Sequence, residues 1–264
     1  MRIILLGSGT SQGVPIIGCT CDTCISQNTK DKRLRTSAYI EVNGLKILID
    51  TSIDFRQQML RSNVTDLDAI LFTHHHVDHI FGLDDLRQIN QKYNKFVDIF
   101  GNKMTLDEIK LTFRYALDEK LIRYMAVPLM NFNYLENLPF RVKEKDSSEK
   151  EFCEVIPIEV YHGRIKIFGY RIGNFAYITD CSFIPEKEFG KLHGLDVLVL
   201  NALRQAPHPT HFNVEQAVAT AININAKKTY FTHITHDLLH DEVNKTLPVN
   251  IELGYDELEL IIDD

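Results

Sequence analysis

The chain has 264 residues, 44% hydrophobic and 25% charged, a balance that lets an ordinary globular protein bury a sizeable core. Its net charge of −7 argues against a broad surface for nucleic acid or anionic membrane, although bound divalent ions would make one cleft locally positive. No apolar stretch approaches the ~20 residues of a membrane span, and Met1–Gly7 is too short and too soon interrupted for a signal peptide. Five cysteines, an odd number with three inside six positions, suit a reducing compartment and metal ligation better than disulfides, so a cytoplasmic protein is expected.

Arg2–Leu6 reads as a first strand entering the glycine-rich run Gly7–Pro15. The spacing Gly-x-Gly-x-x-x-Gly, with Pro15 where a helix should start, departs from the dinucleotide-binding pattern. The run reads instead as a turn close to a site, where missing side chains admit a ligand. Cys19, Cys21 and Cys24 follow and supply three thiolates, one short of a closed structural zinc site. A histidine from elsewhere is the best fourth ligand; a redox trio or three buried thiols are the alternatives. Ser37–Val42 and Lys46–Ile49 flank Asn43-Gly44, a hairpin signal. The second strand ends at Asp50, a carboxylate able to orient a ligating histidine, while Thr51, Ser52 or Asp54 could cap a helix over Phe55–Arg61.

The densest chemistry lies in Ala69–His79. Its apolar start reads as a short buried strand that delivers His74, His76, Asp78 and His79 within six positions. An extended turn would point 74, 76 and 78 to one side. Four ligand-type side chains at this spacing are better explained by two ions, two ligands apiece, than by one tetrahedral ion. Beyond it, Gly82–Gln91 predicts a helix through Leu83, Leu86 and Ile89, Phe96–Phe100 a strand, and Thr105–Leu117 a helix opened by a Thr105/Glu108 capping box. The aromatic and leucine-rich stretch 118–140 has little periodicity. Phe113, Tyr115, Tyr124, Met125, Phe132 and Tyr134 are read as core rather than as a pocket lining, and Lys143–Lys150 as a charged surface turn.

Glu154–Tyr161 predicts a strand ending at His162-Gly163, and Ile165–Ile172 with Phe175–Thr179 a hairpin ending in Asp180. A further strand, Val197–Leu200, leads through the proline-containing loop 204–210 to His211 and a helix over Val214–Ile222. Lys228–Phe231 then repeats the earlier theme, with Thr232-His233-Ile234-Thr235-His236 echoing Thr73-His74-His75-His76. The echo, together with the strand-tip aspartates Asp50 and Asp180, predicts two similar halves facing one another. His193, His208 and His240 have no place in the pattern and are read as surface residues.

The ordered set His74, His76, Asp78, His79, His162, Asp180 and His233 resembles the signature of the metallo-β-lactamase superfamily along nearly the whole chain. That resemblance implies an α/β fold, a four-layer αβ/βα sandwich of two mixed sheets with helices outside, as one domain over 1–264. It implies that His74, His76 and His162 hold one ion, that Asp78, His79 and His233 hold a second, and that Asp180 bridges them. Cys19, Cys21, Cys24 and His236 are similar to the extra structural zinc site of the phosphoribosyl cyclic-phosphate phosphodiesterases, as are Gly7–Pro15 and the run 232–236. His211, with Ala217 six positions on, resembles a motif of the ribonuclease Z group. A homodimer is also implied.

The expected activity is hydrolysis of a small, possibly cyclic, phosphodiester by a hydroxide held between two divalent ions, zinc with manganese or iron as options at the carboxylate-richer position. An alkoxide is a poor leaving group, so a general acid helps, and His211 is the candidate; Asp78 and Asp50 complete the catalytic set. The segment 83–140 is the place for substrate selection. A ribonuclease Z-like nuclease, a thioester or lactam hydrolase, and a non-enzymatic zinc-binding protein of the same fold are the alternatives; the net charge opposes the first, and the second would leave His211 unexplained.

Overall fold

The computed structural model describes residues 1–143 and 152–262. The first sheet is built from β1 (Arg2–Gly7), β2 (Ser37–Val42), β3 (Leu45–Ile49), β4 (Ala69–Leu71), β5 (Val97–Gly101) and β6 (Met130–Tyr134). The second contains β7 (Phe140–Lys143), β8 (Phe152–His162), β9 (Ile165–Ile172), β10 (Phe175–Ile178), β11 (Val197–Asn201), β12 (Lys228–Thr232) and β13 (Ile251–Leu253). The last strand, β14 (Leu258–Ile261), returns to the first sheet beside β1. The orders are β14-β1-β2-β3-β4-β5-β6 and β7-β8-β9-β10-β11-β12-β13. Each sheet makes three antiparallel pairings and then three parallel ones, so the two repeat one plan.

Strands without polar alternation are those covered on both faces. In β1, Ile3 and Leu5 enter the core between the sheets, while Ile4 and Leu6 enter the core beneath the helices. In β11, Val197 and Val199 face the other sheet, and Leu198 and Leu200 face helix Val214–Ile224. Successive strand side chains point oppositely, so one apolar run serves two cores. The outcome is a four-layer helix–sheet–sheet–helix sandwich. A buried chain of hydroxyls crosses it, Thr36 Oγ1 lying 2.7 Å from both Tyr177 Oη and Thr232 Oγ1. No helix among the described residues is long and apolar enough to cross a membrane.

β3 and β4 run parallel, and β8, β10 and β12 share one direction, so their C-terminal ends lie along common edges. Those ends carry Asp50, Thr73–His79, His162, Asp180 and His233.

Several expectations need correction. The extended turn stops at His76, which becomes the N-cap of helix Val77–Ile80, so Asp78 and His79 project from a helical turn rather than alternating with His74 and His76. The helix expected over 82–91 is two pieces, a 3-10 turn Phe81–Asp85 and helix Leu86–Tyr93, because Leu83, Leu86 and Ile89 sit at a three-residue spacing that both forms satisfy. Asn102, not Thr105, caps the next helix, accepting from the Thr105 N–H, and that helix ends at Thr112. Of the aromatic set only Phe113 is buried; Tyr115, Tyr124 and Tyr134 are exposed, and Met125 and Phe132 only partly covered. Gly7 and Gly9 admit no ligand. A Cβ on them would stand 2.0 Å from the Arg35 carbonyl oxygen and 2.9 Å from Arg33 Cβ, so the bare backbone serves chain packing. His240 is 2% exposed and caught between Asp31 and Asn244, not a surface residue. His193 is exposed and His208 partly covered. Lys143 closes β7; the rest of the expected surface turn lies outside the described residues.

Gly82 joins the helical turn that carries Asp78 and His79 to the segment after β3. Its N–H donates to the Thr51 carbonyl at 3.1 Å, and a Cβ there would stand 2.1 Å from the Ser52 carbonyl oxygen and 2.4 Å from Phe55 Cβ. Both obstacles are close to the main chain and cannot swing aside. Gly82→Ala is expected to cost about 1–3 kcal/mol or more of stability through overpacking, read as a lower urea midpoint at constant slope.

Candidate metal centre

Three residues of the site sit in the left-handed backbone region that favours glycine: Asp50 at φ 60°, Asp180 at 53° and His233 at 56°. Each follows the end of a strand, and the unusual turn aims a polar side chain along the sheet edge instead of continuing the pleat. Such conformations cost of order 1–3 kcal/mol each and persist where the surroundings hold them. Asp50 is fully buried and held from several sides. It accepts from the Thr73 N–H at 2.8 Å, the Thr73 hydroxyl at 2.7 Å and His79 Nδ1 at 2.7 Å.

That last bond fixes the chemistry of His79. With its proton on Nδ1 toward Asp50, Nε2 presents a lone pair. Nε2 nevertheless lies 3.3 Å from Asp78 Oδ2 and 3.2 Å from Asp180 Oδ2, and makes no aligned hydrogen bond. Acceptor facing acceptor is repulsive unless a cation lies among them. Without an ion the ring can only take a proton: burial opposes the charge, but Asp78, Asp180 and Asp50 outweigh it and raise the His79 pKa well above its usual value. His233 behaves alike. Burial disfavours its charge, Asp180 and Asp78 prevail and raise it to about 9, and both of its ring nitrogens are buried without a hydrogen-bond partner.

The donor atoms converge in two sets. One atom each from His74, His76 and His162 lies within 4.8 Å of the others, and so do atoms from Asp78, His79, Asp180 and His233. In the first set His74 Nε2 and His76 Nδ1 are 3.0 Å apart, and His162 Nδ1 donates to the Thr210 carbonyl at 2.8 Å, freeing Nε2. Imidazoles joined by carboxylates, with the outward nitrogens of His74, His79 and His162 held by Thr73, Asp50 and the Thr210 carbonyl, form a donor set suited to divalent transition metals. The residues fit such ions at both positions.

His211 lies beside both sets. Its ring centroid is 4.6 Å from that of His162 and 4.8 Å from that of His233, nearly parallel to the latter, and its buried Nδ1 stands 3.8 Å from Asp180 Oδ1 without a hydrogen bond. Burial and then the charge on His233 push its pKa down to about 3. Atoms of His162, Asp180 and His211 also fall within 4.8 Å of one another. The segment is anchored by Phe212, whose N–H donates to the Cys181 carbonyl at 2.7 Å, and by Asn213, which shares a reciprocal capping box with Gln216 at the start of helix Val214–Ile224.

The three cysteines gather around His236 Nδ1, at 3.2 Å for Cys19, 3.3 Å for Cys21 and 3.6 Å for Cys24. Ligand atoms on a tetrahedral zinc stand roughly 3.6 Å apart, given bond lengths near 2.0–2.3 Å, so the four atoms are spaced to close such a site. A backbone N–H at Cys24 draws the Cys21 thiol down to about 7, whereas burial pushes Cys24 up to about 11. Behind them sits a pair that the spacing of ligand-type residues does not reveal. Arg33 and Asp31 are 0% and 1% exposed and 3.1 Å apart, and Arg33 also donates to the carbonyls of Thr235 and Leu238. Asp31 accepts from the His240 N–H and the Ser26 hydroxyl. The buried charges thus bind the cysteine loop to the turn that carries His233 and His236. Thr73 and Thr210, which orient Asp50 and His162, also carry no sequence signal beyond standing next to a ligand.

Asp50→Asn keeps the shape but weakens the acceptor behind His79. It is expected to lower divalent-metal affinity at the second set by about 10–100-fold, measured by competition against a chromophoric chelator.

Comparison with known proteins places this geometry. Residues 46–234 match the family model described as the beta-lactamase superfamily domain; the match contains every candidate ligand of the two convergent sets and leaves out Cys19, Cys21, Cys24 and His236. The crystal structure of a new diphosphatase from the PhnP family superposes with a TM-score of 0.89 at 40% identity, covering 99% of this chain and 98% of that one. Zinc-bound PqqB from Methylobacterium extorquens shares the fold, with a TM-score of 0.73 at 19% identity over 99% of this chain and 100% of its own. The octanoyltransferase of Porphyromonas gingivalis is 40% identical over 268 residues, covering 100% of this chain but 52% of that protein, so the chain spans about half the length of this curated relative. On a domain match that runs through both sheets, from β3 to β12, the chain belongs to the beta-lactamase superfamily.

Proposed function

We propose that the protein is a metal-dependent phosphodiesterase acting on a small diester. The observation that carries this reading is His211, a buried imidazole beside the two donor sets that neither set requires. His74, His76 and His162 would hold one divalent ion, and Asp78, His79 and His233 a second, with Asp180 between them. Ions bound there supply an activated water and offset the charge that develops on phosphoryl oxygens.

The chain's own residues do the rest. Asp50 keeps the His79 proton on Nδ1 and so keeps Nε2 available toward the centre. The Thr210 carbonyl does the same for His162. His211 lies where it can hand a proton to a departing alkoxide. Burial pushes the His211 pKa down in the metal-free chain, and an anionic phosphoester beside the ring would favour its protonated form. A diphosphate is the second reading, favoured by the diphosphatase to which the chain is 40% identical. An acyl reading takes its support from the octanoyltransferase relative, a name that belongs to a protein about twice as long.

The test is turnover by the metal-loaded protein on bis-p-nitrophenyl phosphate, an alkyl phosphodiester, a nucleoside diphosphate and an octanoyl thioester, with His211→Ala in parallel. The expected result is phosphoester turnover in which His211→Ala costs about 10²–10⁴-fold on the alkyl ester and much less on the nitrophenyl ester, at unchanged metal content. Loss of metal would make His211 a ligand instead, and thioester turnover alone would move the reaction to carbon.

Cys19, Cys21, Cys24 and His236 are assigned a structural zinc. Cys21→Ser is expected to release that ion and lower the melting temperature and activity together; unchanged zinc content by elemental analysis would remove the assignment.

A further inference from the structure

We propose that His208 is an additional substrate-binding residue, donating a hydrogen bond from Nε2 to an oxygen on the leaving-group side of the phosphoester. The inference rests on the phosphoester reading above.

The loop between β11 and His211 is held in place by its own polar groups. Arg204 donates to the carbonyls of Ala206 and Pro207 at 3.3 and 3.2 Å, and Asn213 Nδ2 donates to the Gln205 carbonyl at 3.1 Å. At the far end Thr210 works in two directions. Its carbonyl accepts from His162 Nδ1 at 2.8 Å, while its N–H donates to His208 Nδ1 at 3.4 Å and its hydroxyl lies 3.2 Å from the same nitrogen. A backbone N–H has no lone pair, so Nδ1 of His208 must be the acceptor, and the neutral ring carries its proton on Nε2. Among the described residues Nε2 has no hydrogen-bond partner and is not enclosed. His208 is also absent from every convergent donor group. It is therefore a donor of fixed tautomer, on a pinned loop, tied through Thr210 to a residue of the first metal set.

Its position says what it would meet. The His208 ring is 5.0 Å from that of His211, tilted by 45°, and His208 is only partly covered. If His211 protonates the departing oxygen, the neighbouring donor faces whatever that oxygen is attached to. A sugar or polyol offers hydroxyl and ring oxygens there; a nitrophenyl ring offers carbon. His208 thus favours oxygen-rich leaving groups over aromatic ones.

The experiment uses metal-loaded wild type, His208→Ala and His208→Gln, the last because its amide N–H can stand near the lost Nε2–H. Two probes are compared, 2′,3′-cyclic AMP, which departs as a sugar hydroxyl, and bis-p-nitrophenyl phosphate. The expected result is a KM for the cyclic nucleotide raised about tenfold in His208→Ala, equivalent to about 1.4 kcal/mol, with kcat changed less and most of the loss recovered in His208→Gln. The preference for the cyclic probe over the nitrophenyl probe should fall accordingly. Equal losses on both probes, or metal loss in His208→Ala, would make the residue a loop strut and overturn the proposal. So would a wild type that cleaves only the nitrophenyl ester. A wild type that cleaves neither probe removes the phosphoester reading itself, and this inference with it.

Discussion

Everything at the sheet edge follows from a bare imidazole nitrogen pointed at two carboxylates. His79 Nε2 lies within 3.3 Å of Asp78 and Asp180, and all three residues are buried. Low local dielectric makes this arrangement costly unless positive charge is supplied. A proton can supply it in the bare chain, and a divalent ion would supply it in a loaded one. Asp50 occupies the other ring nitrogen and so, from outside the convergent donor set, sets the direction of the His79 lone pair.

Two sheets with the same plan of three antiparallel and three parallel pairings bring this about. In each, the parallel strands end on the site side, and in each an aspartate follows a strand with a left-handed backbone. Asp50 comes from the first sheet and stands behind His79. Asp180 comes from the second and stands among the convergent donor atoms. Equivalent corners of two similar halves thus do different work.

Much of the candidate site was legible in the sequence because donor side chains at strand ends leave a simple trace, an apolar run that breaks into His or Asp. The strands ending at His162, Asp180 and His233 were readable this way, as was the cluster at 74–79. What escaped was whatever depends on partners distant in sequence. The helical turn at Val77–Ile80 follows from Thr51 gripping His79 and Gly82 through backbone bonds, and no local pattern announces it. The Asn102 cap competed with an equally plausible Thr105. The aromatic stretch after Phe113 carried no period to tell core from surface. Arg33 lies among the charged residues of 30–35 with nothing local to single it out, yet it is the most enclosed arginine or lysine among the described residues, because three oxygens from Asp31, Thr235 and Leu238 meet it.

The distance along the chain between Cys19 and His236 has a temporal consequence. The thiols are made first, and the imidazole that closes their site follows 217 residues later. At ordinary synthesis rates that interval is about 10–40 s. Through it the nascent protein exposes three closely spaced thiols, one of them with an acidity near neutrality in the finished fold. During that time they are open to oxidants and to opportunistic metals. Cys19 and His236 come from distant parts of this chain and meet at one point, and until they do the three thiols depend on the reducing power of their surroundings.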